Sequence, residues 1–134
     1  MYKALHPFAL LLFCSSLLIG QTLPAGKWQL DQYRFGDKVE RPLESLDITL
    51  NVRADGHLGG SSGCNVYGGS WSEDGGKLAI TDIISTMRAC EEPTPLFEKS
   101  FFDVLEKASS VETKDGTLLI TEESGHFLRF VKTN

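Results

Sequence analysis

The sequence predicts a small α+β domain in which an antiparallel, barrel-like β-sheet curls around one amphipathic helix. Three observations lead to this prediction: short Gly-containing turns recur along the chain, one segment alternates between apolar and polar residues, and one segment repeats its apolar residues at helical spacing. The chain has 134 residues, the length of one domain. A domain of about 100–150 residues can bury a workable core.

The first strands are predicted from the apolar pattern. A mixed pattern indicates an initial strand at Trp28, Leu30, Tyr33 and Phe35. Residues 36–45 are charged and include a proline, so we expect a loop there. Apolar and polar residues then alternate over 46–53, which is the period of a strand with one buried face.

Turn chemistry predicts four hairpins. Glycine and aspartate supply the positive φ angles that tight hairpins require. The four turns are Asp55-Gly56, Asp74-Gly75-Gly76, Asp115-Gly116 and Ser124-Gly125. Four such signals in one short chain favour an antiparallel sheet.

One helix is predicted in the second half of the chain. Thr94 is expected to cap it, with Pro95 in the first helical position and Ser109 and Ser110 at its end. The apolar stripe comprises Phe97, Phe101, Val104, Leu105 and Ala108. The opposite, solvent-facing side is expected to carry Glu98, Lys99, Asp103, Glu106 and Lys107. At this spacing the stripe is interpreted as a core face, not a ligand site.

The N-terminus has the layout of a secretory signal peptide. Lys3 precedes a short apolar run over residues 8–19, and Gly20 suits a cleavage site. The run is too short for a spanning helix. We therefore divide the chain into a signal peptide (1–20), a linker (21–25) and one domain (26–132). Lipidation at Cys14 is the alternative, although Phe13 stands where a small residue is wanted.

The charge pattern excludes some partners. The formal net charge is −5, and the sequence has no cluster of Lys or Arg. Nucleic acid is therefore not an expected partner. No cofactor-binding motif is present: the Gly-rich run 59–63 lacks the lysine and helix that phosphate-binding loops need.

Two cysteines, Cys64 and Cys90, remain after signal cleavage. Export to an oxidising compartment favours a disulfide between them. Two buried thiols are the alternative that the sequence leaves open.

Enzymatic and metal sites have candidates but little support. Cys64 could act as a nucleophile with His57 or His126 as its base. Two cysteines and two histidines could in principle bind zinc. These cysteines and histidines do not have the short sequence spacings that ligands of structural zinc sites have. Four acids could pair for hydrolysis, but nothing in the sequence indicates that they lie close together: Asp31, Asp47, Asp82 and Glu98. We expect no catalytic residues and no metal.

Two further features allow a binding role. Residues 59–63 are either a sheet edge that a partner peptide extends or a bulge, and the bulge is favoured. Arg88 either contacts a ligand carboxylate or pairs with Glu91 or Glu92, and the local pair is favoured.

Two motifs resemble the signatures of a known family. The first is Gly60-x-x-Gly63-Cys64-Asn65-x-Tyr67-x-Gly69-x-Trp71, and the second is Ser85-Thr86-Met87-Arg88-Ala89-Cys90. Together with Trp28 near the start, the helix motif Glu98-x-x-Phe101 and a closing hairpin, they are similar to the META domain family of HslJ-like, heat-inducible envelope proteins. The resemblance extends from about residue 26 to residue 132. Trp71 stands where the family more often has Tyr or Phe.

The resemblance implies a small α+β fold and a cell-envelope location. It implies no catalytic residues, because none is established for the family. The expected function is a non-enzymatic, exported protein that supports stress tolerance by binding another envelope component, with an envelope protein or a small ligand as the partner. The alternatives are a small-ligand carrier or inhibitor on the same fold and, third, an unrecognised hydrolase.

The signal-peptide interpretation leads to a first prediction. Protein recovered from its host should begin close to Gln21, because cleavage is expected after Gly20. Intact-mass spectrometry checks this. A chain that begins at Met1, or a lipid on Cys14, would contradict export as a soluble, cleaved protein.

Overall fold

The computed structural model describes residues 23–133 and contains one helix and nine strands. The elements are β1 (Gly26–Arg34), β2 (Val39–Glu40), β3 (Thr49–Val52), β4 (His57–Ser61), β5 (Val66–Asp74), β6 (Lys77–Ser85), α1 (Thr94–Glu106), β7 (Ala108–Lys114), β8 (Thr117–Glu122) and β9 (Phe127–Lys132). The predicted signal peptide lies outside the described residues.

All strands belong to one antiparallel sheet with the order β6-β5-β4-β3-β1-β9-β8-β7, and β2 pairs with the end of β1. The two end strands, β6 and β7, approach each other without being paired by hydrogen bonds. The sheet is therefore a nearly closed barrel. Helix α1 connects these two strands and packs against β6, β8 and β9. This arrangement confirms the predicted α+β class.

The four predicted hairpins are all present. They connect β3 to β4, β5 to β6, β7 to β8 and β8 to β9. In the β7–β8 turn both central residues have positive φ, 51° at Asp115 and 77° at Gly116. Positive φ at both positions is what a two-residue type I′ turn needs to match the twist of its strands.

A bulge explains the mixed apolar pattern of β1. The register against β9 shifts between Leu30 and Gln32, so Asp31 is an extra residue in β1. Before the bulge, Trp28 and Leu30 are buried in the core. After it, Tyr33 rather than residue 32 packs against the core. The inward face is thus continuous in space although the sequence spacing changes from two to three.

The core lies between the concave face of the sheet and α1. Phe101 and Leu105 of α1 are fully buried and belong to one cluster with residues of most strands. The fully buried apolar side chains of the strands and of the segment before β3 are Ile48, Leu50, Leu118, Ile120, Leu128 and Phe130. Leu23, within the predicted linker, is also buried in this cluster.

The predicted helix boundaries were wrong at both ends. Thr94 is the first helical residue, and the cap position is occupied by Pro93 without a side-chain hydrogen bond. The helix ends at Glu106, and Ala108 already belongs to β7, where it pairs with Glu122 of β8. Pairing with β8 therefore overrides the helical periodicity that Ala108 continues in the sequence.

The packing of α1 leads to a second prediction. Phe101→Ala should lower the free energy of unfolding by roughly 3–5 kcal/mol, because it opens a cavity in the core. Leu96→Ala is the matched control on the same helix, since Leu96 is 64% exposed and its truncation should change stability by less than about 0.5 kcal/mol. Urea denaturation followed by circular dichroism measures both. A loss below about 1 kcal/mol for Phe101→Ala would contradict the core assignment.

Candidate functional site

The Gly-rich segment is an inner part of the sheet. Strand β4 pairs with β3 on one side and with β5 on the other, in an uninterrupted register. Residues 59–63 are therefore neither the sheet edge nor the bulge that the sequence suggested. The register shift lies one strand away, in β5 between Gly68 and Ser70. A Cβ atom on Gly60, whose φ is 158°, would lie 2.2 Å from the carbonyl oxygen of Thr49. Close backbone approach therefore requires glycine there.

The two cysteines form a disulfide. Cys64 and Cys90 are joined, with their Cα atoms 6.2 Å apart, which is within the usual range. The bond ties the turn between β4 and β5 to the segment that precedes α1. The two cysteines are 26 positions apart in the chain. By the chain-entropy estimate, closing a loop of this length stabilises the domain by about 3–4 kcal/mol.

Asn65 connects three segments through its side chain. Its Nδ2 donates to Oε1 of Glu98 at 3.0 Å. Its Oδ1 accepts from the Thr86 hydroxyl at 3.0 Å and from the backbone N–H of Arg88 at 2.7 Å. One amide thus holds the β4–β5 turn, the end of β6 and the start of α1 together.

Glu98 corrects a prediction. It was expected on the solvent-facing side of the helix, but only 5% of it is exposed. Its Oε2 accepts hydrogen bonds from the Ser62 hydroxyl and, at 3.0 Å, from the backbone N–H of Asn65. Glu98 lies one helical turn before Phe101, on the buried side of α1. The sequence pattern assigned Glu98 to the polar side of the helix, and its structural importance was indicated only by the family motif Glu98-x-x-Phe101.

The aromatic signature residues are packed in the core. Trp28 is buried and its Nε1 donates to the carbonyl of Pro24 at 3.3 Å. The Tyr67 hydroxyl donates to the carbonyl of Thr49 at 2.7 Å, and its ring packs edge-on against Phe101 with centroids 5.5 Å apart. Burial raises the pKa of Tyr67. The remaining signature glycines are also constrained by their surroundings: a Cβ on Gly63 would lie 3.3 Å from Thr94, and one on Gly69 would lie 3.1 Å from the carbonyl oxygen of Thr81.

The expected local pair of Arg88 is absent from the described part of the chain. Within residues 23–133, no carboxylate of Glu91 or Glu92 lies within 4.0 Å of its guanidinium. The hydrogen bond from its backbone N–H to Asn65 fixes the main chain and leaves the side chain exposed. The backbone of Arg88 is therefore part of the junction, whereas its charge is at the surface.

The catalytic candidates are separated or engaged elsewhere. The sulfur of Cys64 is in the disulfide, while His57 lies 3.2 Å from Asp55 and His126 lies 3.5 Å from Glu122. In residues 23–133, no group of three or more His, Cys, Asp or Glu side chains is arranged to hold a metal.

Ser124, Glu122 and His126 lie close together in the β8–β9 turn. The Ser124 hydroxyl donates to Glu122 and so lowers the pKa of that carboxyl. A serine hydroxyl bonded to a carboxylate is not bonded to a histidine base, which is the contact that nucleophilic catalysis requires. Of the acids considered for hydrolysis, Asp31 pairs with Arg129 and Arg41, and Glu98 is held in the junction.

An aromatic groove beside α1 was not predicted. Tyr33, Phe35 and Phe97 form a cluster with ring centroids 4.4–5.5 Å apart. The cluster lines a depression of about 260 Å³ whose rim carries Leu43, 55% exposed, and Leu96, 64% exposed. The sequence interpretation missed the groove because it treated Phe97 as a core residue and 36–45 as a loop without a role.

A second depression continues the first along α1. It has a volume of about 300 Å³ and shares Phe35 and Ser100 with the aromatic depression. Its other charged and polar lining residues are Asp103, Lys107, Glu122, Ser124 and His126. We call the two depressions together the helix groove.

The sequence matches the META domain over residues 21–134. The chain belongs to the META domain family. The fold agrees with two solved structures. One is the NMR structure of a protein from Burkholderia xenovorans, with a TM-score of 0.68 and 24% identity, covering 81% of this chain and 82% of that one.

The second is the crystal structure of a DUF4847 family protein from Bacteroides vulgatus, with a TM-score of 0.57 and 17% identity, covering 82% of this META domain chain and 95% of that one. A comparison with curated proteins found no match. These similarities establish the fold. No helix within residues 23–133 is long and apolar enough to cross a membrane.

The junction leads to a third prediction. Glu98→Ala should lower the free energy of unfolding by about 2–4 kcal/mol, because it leaves the buried backbone N–H and side-chain amide of Asn65 without their acceptor. Glu106→Ala is the control, an exposed acid on the same helix whose removal should cost less than about 0.5 kcal/mol. Urea denaturation of the two variants measures the difference. Equal stabilities of the two variants would refute the structural role of Glu98.

Proposed function

We propose that this META domain is a non-enzymatic, exported protein that binds another protein of the cell envelope through the helix groove. The observation that carries the proposal is the pair of exposed leucines, Leu43 and Leu96, on the rim of an aromatic-lined depression. Apolar surface of this kind, next to a concave wall, is typical of interaction sites. Envelope stress tolerance is the process in which we place this binding.

Export is supported by two independent features. The N-terminal apolar run has the layout of a signal peptide. The Cys64–Cys90 disulfide is a bond that persists in oxidising compartments such as the bacterial periplasm.

A binding role is favoured over catalysis because the side chains that could react are engaged in structural contacts. Asn65 and Thr86 are hydrogen-bonded to each other, Cys64 and Cys90 form the disulfide, and Trp28 and Tyr67 are packed in the core. They therefore support the position of α1 and the groove beside it.

The shape of the groove favours a protein segment over a compact ligand. Pockets that enclose small ligands usually measure about 300–1,000 Å³ and bury most of the ligand. The aromatic depression, at about 260 Å³, is smaller than that range and is open to solvent. A side chain or a short segment of another protein suits it better, so a small-ligand carrier is the second candidate.

Crosslinking in the host tests the proposal. A photo-reactive phenylalanine analogue at position 96 should give an adduct with one discrete envelope protein, and Leu43→Gln should abolish that adduct. The same analogue at position 87 is the control, because Met87 is 95% exposed and does not line the groove. Identical adducts from both positions, or none from position 96, would contradict binding through the groove.

A further inference from the structure

The aromatic end of the helix groove contains a single charged side chain among its described lining residues, that of Glu40. Glu40 pairs with Tyr33 across β1 and β2, which places its carboxylate beside the aromatic cluster. Burial raises the pKa of Tyr33, and the negative charge of Glu40 adds to the shift. Within residues 23–133, no Lys, Arg or His lies within 4.0 Å of the Glu40 carboxylate. Because Glu40 is exposed, its carboxylate is accessible to a positively charged group of a ligand in the groove.

The second half of the groove contains both acidic and basic side chains. Asp103 and Glu122 line it together with Lys107 and His126. Glu122 is engaged by Ser124 and His126, whereas Asp103 is exposed and makes no ion pair in the described part of the chain. Each half of the groove thus contains an exposed acidic side chain, Glu40 in the first half and Asp103 in the second.

The length of the groove is set by α1. A helix of 13 residues is about 20 Å long at 1.5 Å per residue. An extended peptide rises about 3.3 Å per residue, so about six residues would span that distance. The two depressions in line along the helix therefore match a short extended segment.

We propose that the helix groove binds an extended protein segment that carries both apolar side chains and Lys or Arg. Its apolar side chains pack against Phe35, Phe97 and Leu96, and its cations pair with Glu40 and Asp103. Anionic ligands such as nucleic acids and acidic lipid headgroups are repelled by these carboxylates. This inference rests on the proposed function and adds the chemistry of the partner.

Peptide titrations test the charge requirement. The probes are three capped hexapeptides that combine the same leucine and phenylalanine residues with lysine, with glutamine or with glutamate. The protein is purified from its host as the host produces it. Binding is measured by isothermal titration calorimetry in 0.05 M and 0.5 M NaCl. We expect the lysine peptide to bind about tenfold more tightly than the glutamine peptide at low salt, with a much smaller difference at high salt, because salt screens exposed charge pairs.

Matched variants locate the effect in the groove. Glu40→Gln should weaken binding of the lysine peptide about two- to fivefold, and adding Asp103→Asn should weaken it further. Glu112→Gln is the control, because it removes the same charge from an exposed residue of β7 outside the groove. Equal weakening by Glu40→Gln and Glu112→Gln would show attraction to the net charge alone and would overturn the inference.

The outcomes separate the two proposals. If the glutamine peptide binds as tightly as the lysine peptide and Leu43→Gln weakens both, the groove is a binding site without charge preference, and only the inference fails. If neither peptide binds and position 96 yields no adduct, the proposed function fails as well.

Discussion

The hydrogen bonds between Glu98 and Asn65 are the contact on which the rest of the architecture depends. The barrel is not closed by backbone pairing between β6 and β7, so the position of α1 across that region must be set by other contacts. Two buried side chains meet there with complementary donors and acceptors, which are costly to separate because each would remain unpaired in a low-dielectric interior. The nearby disulfide restricts the same two segments covalently.

This junction also determines where the helix groove lies. Thr86 and Arg88 are held by the Asn65 side chain, and the chain then passes through Cys90 to Pro93 at the beginning of α1. Pro93 and Leu96 form one wall of the aromatic depression. The family signatures therefore act at a distance from the proposed binding surface. They orient the helix, and the side chains of β1, β2 and the loop that follows provide the opposite wall.

The signature residues and the groove residues differ in what their side chains contact. The Asn65 and Thr86 side chains and the backbone N–H of Arg88 are hydrogen-bonded within the junction, whereas the Arg88 guanidinium is exposed. The groove, in contrast, exposes leucines and holds a carboxylate without a counter-ion within residues 23–133. Under the proposed function, this META domain is a scaffold whose binding specificity resides in the residues around the helix.

The sequence by itself determined the α+β class, the four hairpins and the burial of Phe101, because turn glycines and apolar periodicity act locally. The family followed from the resemblance of the two signature motifs. Only the tertiary structure decided the burial of Glu98, the transfer of Ala108 from helix to strand and the existence of the groove. Glu98 is charged, and its burial depends on Ser62 and Asn65, more than 30 residues away in the chain. Contacts at that separation leave no periodic trace in a single sequence, so pattern-based reasoning placed the residue in solvent.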